Sequence, residues 1–160
     1  MSWLVLYLRP RTEKKVAAFA EGLTVDFRLP LRQETRIYQY RKVMFEKPVF
    51  PGYFFVCADA RERQELLKTN HVVRVIVPPD EAQLLHELDQ IGMALAADPT
   101  LGACQALRRG VRVRIRSGPF MGIEGLVSGG KGTGKVRLNV DMIGQAVAIE
   151  VDRDLLETIR

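Results

Sequence analysis

A Pro-Gly pair, Pro51-Gly52, lies inside the most aromatic stretch of the chain, Val49-Phe50-Pro51-Gly52-Tyr53-Phe54-Phe55-Val56. Proline lacks an N–H and fixes φ, and glycine accepts positive φ, so the pair makes the backbone turn there. Four of the eleven Phe and Tyr residues fall within six positions around it. Tyr53 to Cys57 follows at once, a short aromatic and β-branched run that reads as a buried strand. Any fold for this chain must therefore place large rings at the mouth of a strand, where they either close a core or meet a partner.

Trp3 to Leu8 reads as a strand buried on both faces, with Trp3, Val5 and Tyr7 on one and Leu4, Leu6 and Leu8 on the other. Beyond Arg9-Pro10-Arg11, Thr12 is placed to cap a helix with Val16, Phe19 and Leu23 at helical spacing and Gly22 near its end. Lys14 and Lys15 occupy the first turn, the unfavourable end of the helix dipole for cations; they are either exposed lysines or ligands of an anion. Val25 to Leu29 reads as a second strand. Gln33 to Lys47 reads as a long polar hairpin in which Arg36, Arg41, Lys42 and Lys47 interleave with Tyr38 and Tyr40. That interleaving suits phosphate contact and base stacking, and it equally suits a charged edge hairpin protected from aggregation.

Asp59, with Glu62 three residues on, caps a short helix through about Asn70, and His71 to Val77 is a strand. After Pro78-Pro79, Asp80 caps a longer helix with an apolar stripe of Leu84, Leu88, Ile91 and Leu95. Residues 1–77 thus read β-α-β-β-β-α-β, a ferredoxin-like α/β layer with a hairpin excursion. Ala97 to Leu107 has no period and reads as a linker. From Gly110 the pattern changes: Val111, Val113 and Ile115 alternate with Arg112, Arg114 and Arg116, Gly118 to Gly122 turns, and Val136, Leu138 and Val140 alternate again. Short strands with glycine-rich turns indicate a small β-barrel. The expected class is α+β: an α/β domain over 1–97, a linker over 98–107 and a barrel over 108–160.

Charge is uneven. Residues 1–58 carry a net +5, residues 59–107 a net −4 and residues 108–160 a net +4, which favours an anionic polymer as partner of the two ends or a solvated surface of mixed sign. No apolar stretch is long enough to span a membrane, no basic leader precedes the first strand, and Cys57 and Cys104 lack metal-ligand neighbours, so a cytoplasmic, reduced protein is expected. Gly129-Gly130-Lys131-Gly132-Thr133-Gly134-Lys135 fits a phosphate-loop spacing, but Val136 follows where Ser or Thr would hold magnesium, and the loop leads into a strand; a glycine-rich hairpin turn is the better reading. His71 and His86 lie in different elements, and Ser2, Ser117 and Ser128 sit in no nucleophile-elbow pattern. No catalysis, cofactor or metal is expected.

Trp3, the Phe50-Pro51-Gly52-Tyr53 motif, Val72-Val73-Arg74-Val75-Ile76 and the Gly110-to-Val127 segment, in that order, resemble the NusG family of transcription elongation factors. The last segment looks like a KOW motif, with Gly118, Phe120, Gly122 and Gly125 in its turn. The resemblance implies an N-terminal α/β (NGN) domain that binds the clamp helices of the largest RNA polymerase subunit, and a C-terminal SH3-like barrel that recruits other machinery. The polymerase patch would comprise Trp3, Tyr7, Phe50, Pro51, Tyr53 and Phe55.

The start Ser2 to Tyr7, followed by Arg9 and Arg11, resembles the specialised RfaH antiterminator branch, whose members read non-template DNA in the transcription bubble. That likeness puts nucleic-acid contacts at Arg9, Arg11, Lys15, Asn70 and His71; Lys14, Arg41, Lys42 and Arg74 join them as basic neighbours. Phe19 stands where RfaH has a histidine, which departs from its sequence-reading set. In the barrel, Phe120 and the loop Met142-Ile143-Gly144-Gln145 match the surface that contacts ribosomal protein NusE or termination factor Rho, with Ile143 and Gln145 where the housekeeping factor has Phe and Arg. A monomer is expected, with strands retained in the barrel. The alternatives are a housekeeping factor promoting Rho-dependent termination, or a KOW-type RNA-binding, ribosome-associated protein gripping RNA through Arg112, Arg114 and Arg116.

Overall fold

The structure is a computed structural model that describes residues 1–128 and 134–159. Its first sheet has four antiparallel strands in the order β2-β5-β1-β6, built from β1 (Ser2–Leu8), β2 (Asp26–Arg28), β5 (Tyr53–Ala58) and β6 (Val72–Ile76). This is the ferredoxin-like order with one insertion. Between β2 and β5 the chain leaves the sheet as a separate hairpin, β3 (Leu31–Tyr38) and β4 (Arg41–Pro48). The hairpin expected over 33–47 is present and runs from Leu31 to Pro48, so the strand order is one strand longer than β-α-β-β-β-α-β.

Alternation along β1 and β5 decides the layers. Leu4, Leu6, Leu8, Phe54, Val56 and Ala58 point to one face and are buried against Val16 and Ala20 of α1 (Glu13–Gly22) and Leu66 of α2 (Ala60–Leu67). Val5 and Phe55 point to the other face, in a cluster with Leu84, Leu88, Ile91 and Ala94 of α3 (Glu81–Ala97). Asp59 forms the expected capping box: it accepts from Glu62 N at 2.8 Å while Glu62 accepts from Asp59 N at 2.9 Å. Asp80 likewise accepts from Gln83 N. Thr12 departs from expectation. Its hydroxyl donates to Arg9 O at 2.7 Å, so it ties down the turn before α1 instead of capping the helix.

The second sheet is six-stranded and antiparallel, in the order β12-β8-β9-β10-β11-β7, the small barrel expected from the change of pattern. Its strands are β7 (Ala103–Gln105), β8 (Val111–Ile115), β9 (Glu124–Val127), β10 (Gly134–Val140), β11 (Gln145–Val151) and β12 (Leu156–Thr158). The segment 98–107 is not wholly a connector, because Ala103–Gln105 pairs with β11 and adds an edge to this sheet. Of the glycine-rich loop, Gly129 to Thr133 lie outside the described residues; Gly134 and Lys135 open β10, so a strand follows the loop.

One glycine of the barrel is fixed by space. A Cβ on Gly125 would lie 2.6 Å from Val136 and 2.8 Å from the Arg137 carbonyl, so β9 approaches β10 as only glycine allows. Gly125→Ala is expected to destabilise the protein by about 1–3 kcal/mol through overpacking, measured as a lower midpoint in urea unfolding.

Candidate interaction surface

Phe50-Pro51-Gly52-Tyr53 forms a hydrogen-bonded turn, Tyr53 N donating to Phe50 O at 3.1 Å, with Gly52 at φ +89°. Proline second and a positive-φ glycine third is the type II arrangement. The turn is held from outside as well. Gly52 N donates to the Glu13 carboxylate at 3.0 Å, and Gly52 O accepts from Leu8 N at 2.7 Å. Glu13 is only 6% exposed, a buried carboxylate in the first turn of α1 that satisfies the turn's N–H. The sequence reading missed it, and its one signal was an acidic residue at a helix start.

The turn sorts the aromatic residues. Phe50 (1% exposed) and Phe55 (0%), expected in an exposed patch, are buried in the cluster shared with α3. The turn's first residue faces inward and Phe55 follows the sheet's inner alternation, which is the physical reason for the correction. Tyr7 is 40% exposed and Pro51 is exposed; Trp3 and Tyr53 are half-buried. The Tyr7 and Tyr53 rings meet at 5.2 Å and 56°, and Tyr7 Cε1 lies 3.0 Å from where a Gly52 Cβ would be. Glycine lets the ring lie on the turn. The surviving surface is a rim of Tyr7, Pro51 and Tyr53.

The nucleic-acid candidates fall into three places. Arg9, Asn70 and His71 come together: Arg9 Nε donates to Asn70 O at 2.8 Å and Arg9 N to His71 O at 2.8 Å, with Asn70 at φ +62°. Arg74 pairs with Tyr7 across β1 and β6, which sets this cluster beside the aromatic rim. Arg11 and Lys14 line a cleft at the hairpin base, where Lys14 Nζ donates to Glu46 O at 2.7 Å; Lys15 is exposed beside them. Arg41 and Lys42 sit far from both, at the hairpin tip.

The barrel packs on α3. Gln83 Nε2 donates to Asp141 Oδ2 at 2.8 Å, Gln90 Oε1 accepts from Glu124 N at 2.8 Å, and His86 approaches Glu124 at 3.8 Å. The opposite flank of the same helix serves the first sheet: Glu81 accepts from Trp3 N, and Asp89 pairs with Arg28 at 2.8 Å. The partner loop expected in the barrel lies in this contact. Met142 and Ile143 are half-buried against the shared cluster, whereas Gly144 is exposed and Gln145 half-buried. Phe120 also packs on the cluster, from the segment between β8 and β9. Of the arginine stripe, Arg114 is engaged by Glu124 at 2.7 Å and Glu157 at 3.4 Å, and Arg116 by the Asp154 carbonyl. Hydrogen bonding to Arg114 holds the Glu124 carboxyl below its usual range.

Cys57 and Cys104 are unpaired, and burial pushes the Cys57 thiol up. Among the described residues no group of three or more His, Cys, Asp or Glu is placed to hold a metal, and no helix is long and apolar enough to cross a membrane.

The fold defines a two-part protein, an α/β layer with an aromatic rim and a small barrel on a shared helix. The sequence profile described as transcription termination factor nusG matches residues 1–90. A curated relative, transcription termination/antitermination protein NusG of Deinococcus radiodurans, is 30% identical over 135 residues, covering 70% of this chain and 69% of its own. The Thermus thermophilus protein of the same name is 28% identical over 158 residues, covering 88% and 84%, and that of Borreliella burgdorferi 22% over 182 residues, covering 99% and 98%. A solved structure described as domain interaction in Thermotoga maritima NusG matches in fold, with a TM-score of 0.50 and 19% identity over 99% of this chain and 97% of that one. The chain belongs to the NusG family.

Glu87 marks the contact between α3 and the barrel. Burial, then the Asp141 carboxylate facing it, push its carboxyl from 4.5 up to about 7, against hydrogen bonds from Asp141 N and Gln83. A raised carboxyl pKa means the packed arrangement holds the proton more tightly. Its contribution is full below about 4.5 and is lost as pH rises through about 7. Packing of the barrel on α3 is therefore expected to weaken as pH rises from about 4.5 to about 7, with no further change above that. Glu87→Gln should flatten that dependence, read from amide chemical shifts of Asp141 and its neighbours.

Proposed function

We propose that this chain is a bacterial transcription elongation factor that binds RNA polymerase through the Tyr7-Pro51-Tyr53 rim, suppresses pausing or termination, and recruits a second partner through its barrel. The observation that carries the polymerase contact is the paired Tyr7 and Tyr53 rings on the Pro51-Gly52 turn. Rings locked by their support lose little entropy on binding, which is what an interface hot spot needs. The surface they fit is the clamp-helix tip of the polymerase's largest subunit, in the cytoplasm where transcription takes place. Trp3 supports the rim from the same face of β1.

Beside the rim, Arg9, Asn70, His71 and Arg74 face the non-template DNA strand. The phosphate share of that contact is blind to sequence. The factor acts by binding, not catalysis: it bridges the polymerase cleft and holds the clamp closed. The barrel's partner, NusE or Rho, docks at Phe120 and the Met142–Gln145 loop, and competes with α3 for Met142 and Ile143. A second reading of the same architecture is a housekeeping factor that promotes Rho-dependent termination; the relatives' shared name, termination/antitermination protein, covers both readings. The specialised antiterminator reading rests on the first strand and Arg9 and Arg11.

Tyr7→Ala combined with Tyr53→Ala is expected to weaken binding to purified bacterial RNA polymerase about 30-fold or more, roughly 2 kcal/mol, in a titration with labelled protein. Unchanged affinity in the folded double variant overturns the rim as the contact. Phe50→Ala is the wrong probe, since removing that buried ring costs about 3–5 kcal/mol of stability; urea unfolding checks it.

A further inference from the structure

The β3–β4 hairpin joins neither core cluster along its outer half, and its two faces differ. By register, Arg32 opposes Lys47, Glu34 opposes Phe45, Arg36 opposes Val43 and Tyr38 opposes Arg41, all on one face. The other face carries Ile37 with Lys42, Thr35 with Met44 and Gln33 with Glu46. The first face therefore presents four cations against one carboxylate, interleaved with two rings. Its side chains are already ordered. Arg36 lies over the Phe45 ring at 5.6 Å, Tyr38 meets Phe45 edge-on at 6.1 Å, and Glu34 spans Lys47 at 2.8 Å and Arg36 at 3.5 Å. Tyr38 and Tyr40 remain exposed toward the tip, where Gln39 and Tyr40 make the turn with positive φ.

The same face runs down into a cleft of about 960 Å³ at the hairpin base. Arg32 and Lys47 line it from the hairpin, Arg11 and Lys14 from the start of α1, and Tyr7 from the rim. Its one carboxylate, Glu13, is occupied by Gly52 N. Arg32 Nε is buried beside Gly102 without a partner among the described residues, and its Nη2 donates to Thr100 O at 3.3 Å.

We propose that this face and the cleft below it form a continuous track for single-stranded DNA, with phosphates on Arg41, Arg36, Lys47 and Arg32 and bases stacking on Tyr38 and Tyr40. The proposal rests on the reading above that the chain sits on the transcription bubble, and it assigns a surface beyond the Arg9–His71 cluster. Alternating cations and exposed rings match a strand whose bases are unstacked; a duplex hides the faces that the rings need. The opposite face, with exposed Ile37 and Met44, lacks that alternation.

The test is fluorescence anisotropy of the full chain with a labelled oligothymidylate over a salt series. The expected results are at least tenfold weaker binding for Arg36→Gln with Arg41→Gln, and a salt slope smaller by about 1.4, since each lost phosphate contact removes about 0.7 on single strands. Tyr38→Ala should cost about 5- to 150-fold, the range for one stacked base. Ile37→Ser, on the other face, should bind as wild type. Wild-type affinity in both hairpin variants, with loss only in Arg9→Gln, overturns the track while leaving the DNA contact of the proposed function intact. Tighter binding of oligouridylate than of oligothymidylate overturns the assignment to DNA. RNA polymerase affinity, measured on the same proteins, separates either failure from failure of the polymerase reading.

Discussion

The apolar stripe of α3 is the contact on which the rest depends. Leu84, Leu88, Ile91 and Ala94 are buried in one cluster with Val5 and Phe55 of the first sheet and with Val113, Ile115, Val136 and Val147 of the barrel. A four-stranded sheet with helices on one face leaves its other face bare, and burying that face is worth more than any polar contact at its edges. The helix that covers it also offers a polar flank to the barrel, through Gln83, Glu87 and Gln90. One element thus completes the first domain and carries the second. The barrel side of this contact is apolar at its centre and polar at its flank, where two carboxylates, Glu87 and Asp141, face each other.

The Pro51-Gly52 turn is the second fixed point. It is bonded by its own strand, by β1 and by a buried carboxylate of α1, so three elements that are distant in sequence agree on one conformation. That agreement supports the Tyr7 and Tyr53 rings at the surface and sinks Phe50 below them. Rigidity and exposure at one spot are unusual together, and both are what a partner surface requires.

Much of the fold was legible in the residues. The alternation of Trp3 to Leu8 assigned the two faces correctly, Asp59 and Glu62 announced their capping box, and the valine-arginine alternation after Gly110 marked the barrel. What was not legible has a common cause. Phe50 and Phe55 have the same composition signal as an exposed aromatic patch, and only α3, about thirty residues further on, decides that they are covered. Ala103–Gln105 has no strand pattern of its own and is a strand because β11 offers an open edge. Lys14 read either as an exposed lysine or as an anion ligand; that its ammonium donates to a backbone carbonyl of β4 is set by tertiary geometry alone. Glu13 carried too weak a local signal to be found before the turn it satisfies was in place.

The most direct test of the rim as the working surface is hydrogen–deuterium exchange of the full chain, alone and bound to bacterial RNA polymerase. Slower exchange on binding is expected in the segments containing Tyr7 and Pro51–Tyr53, with the α1–α2 side of the sheet unchanged. Protection confined to the barrel strands, with no change around Tyr7 and the turn, would contradict it.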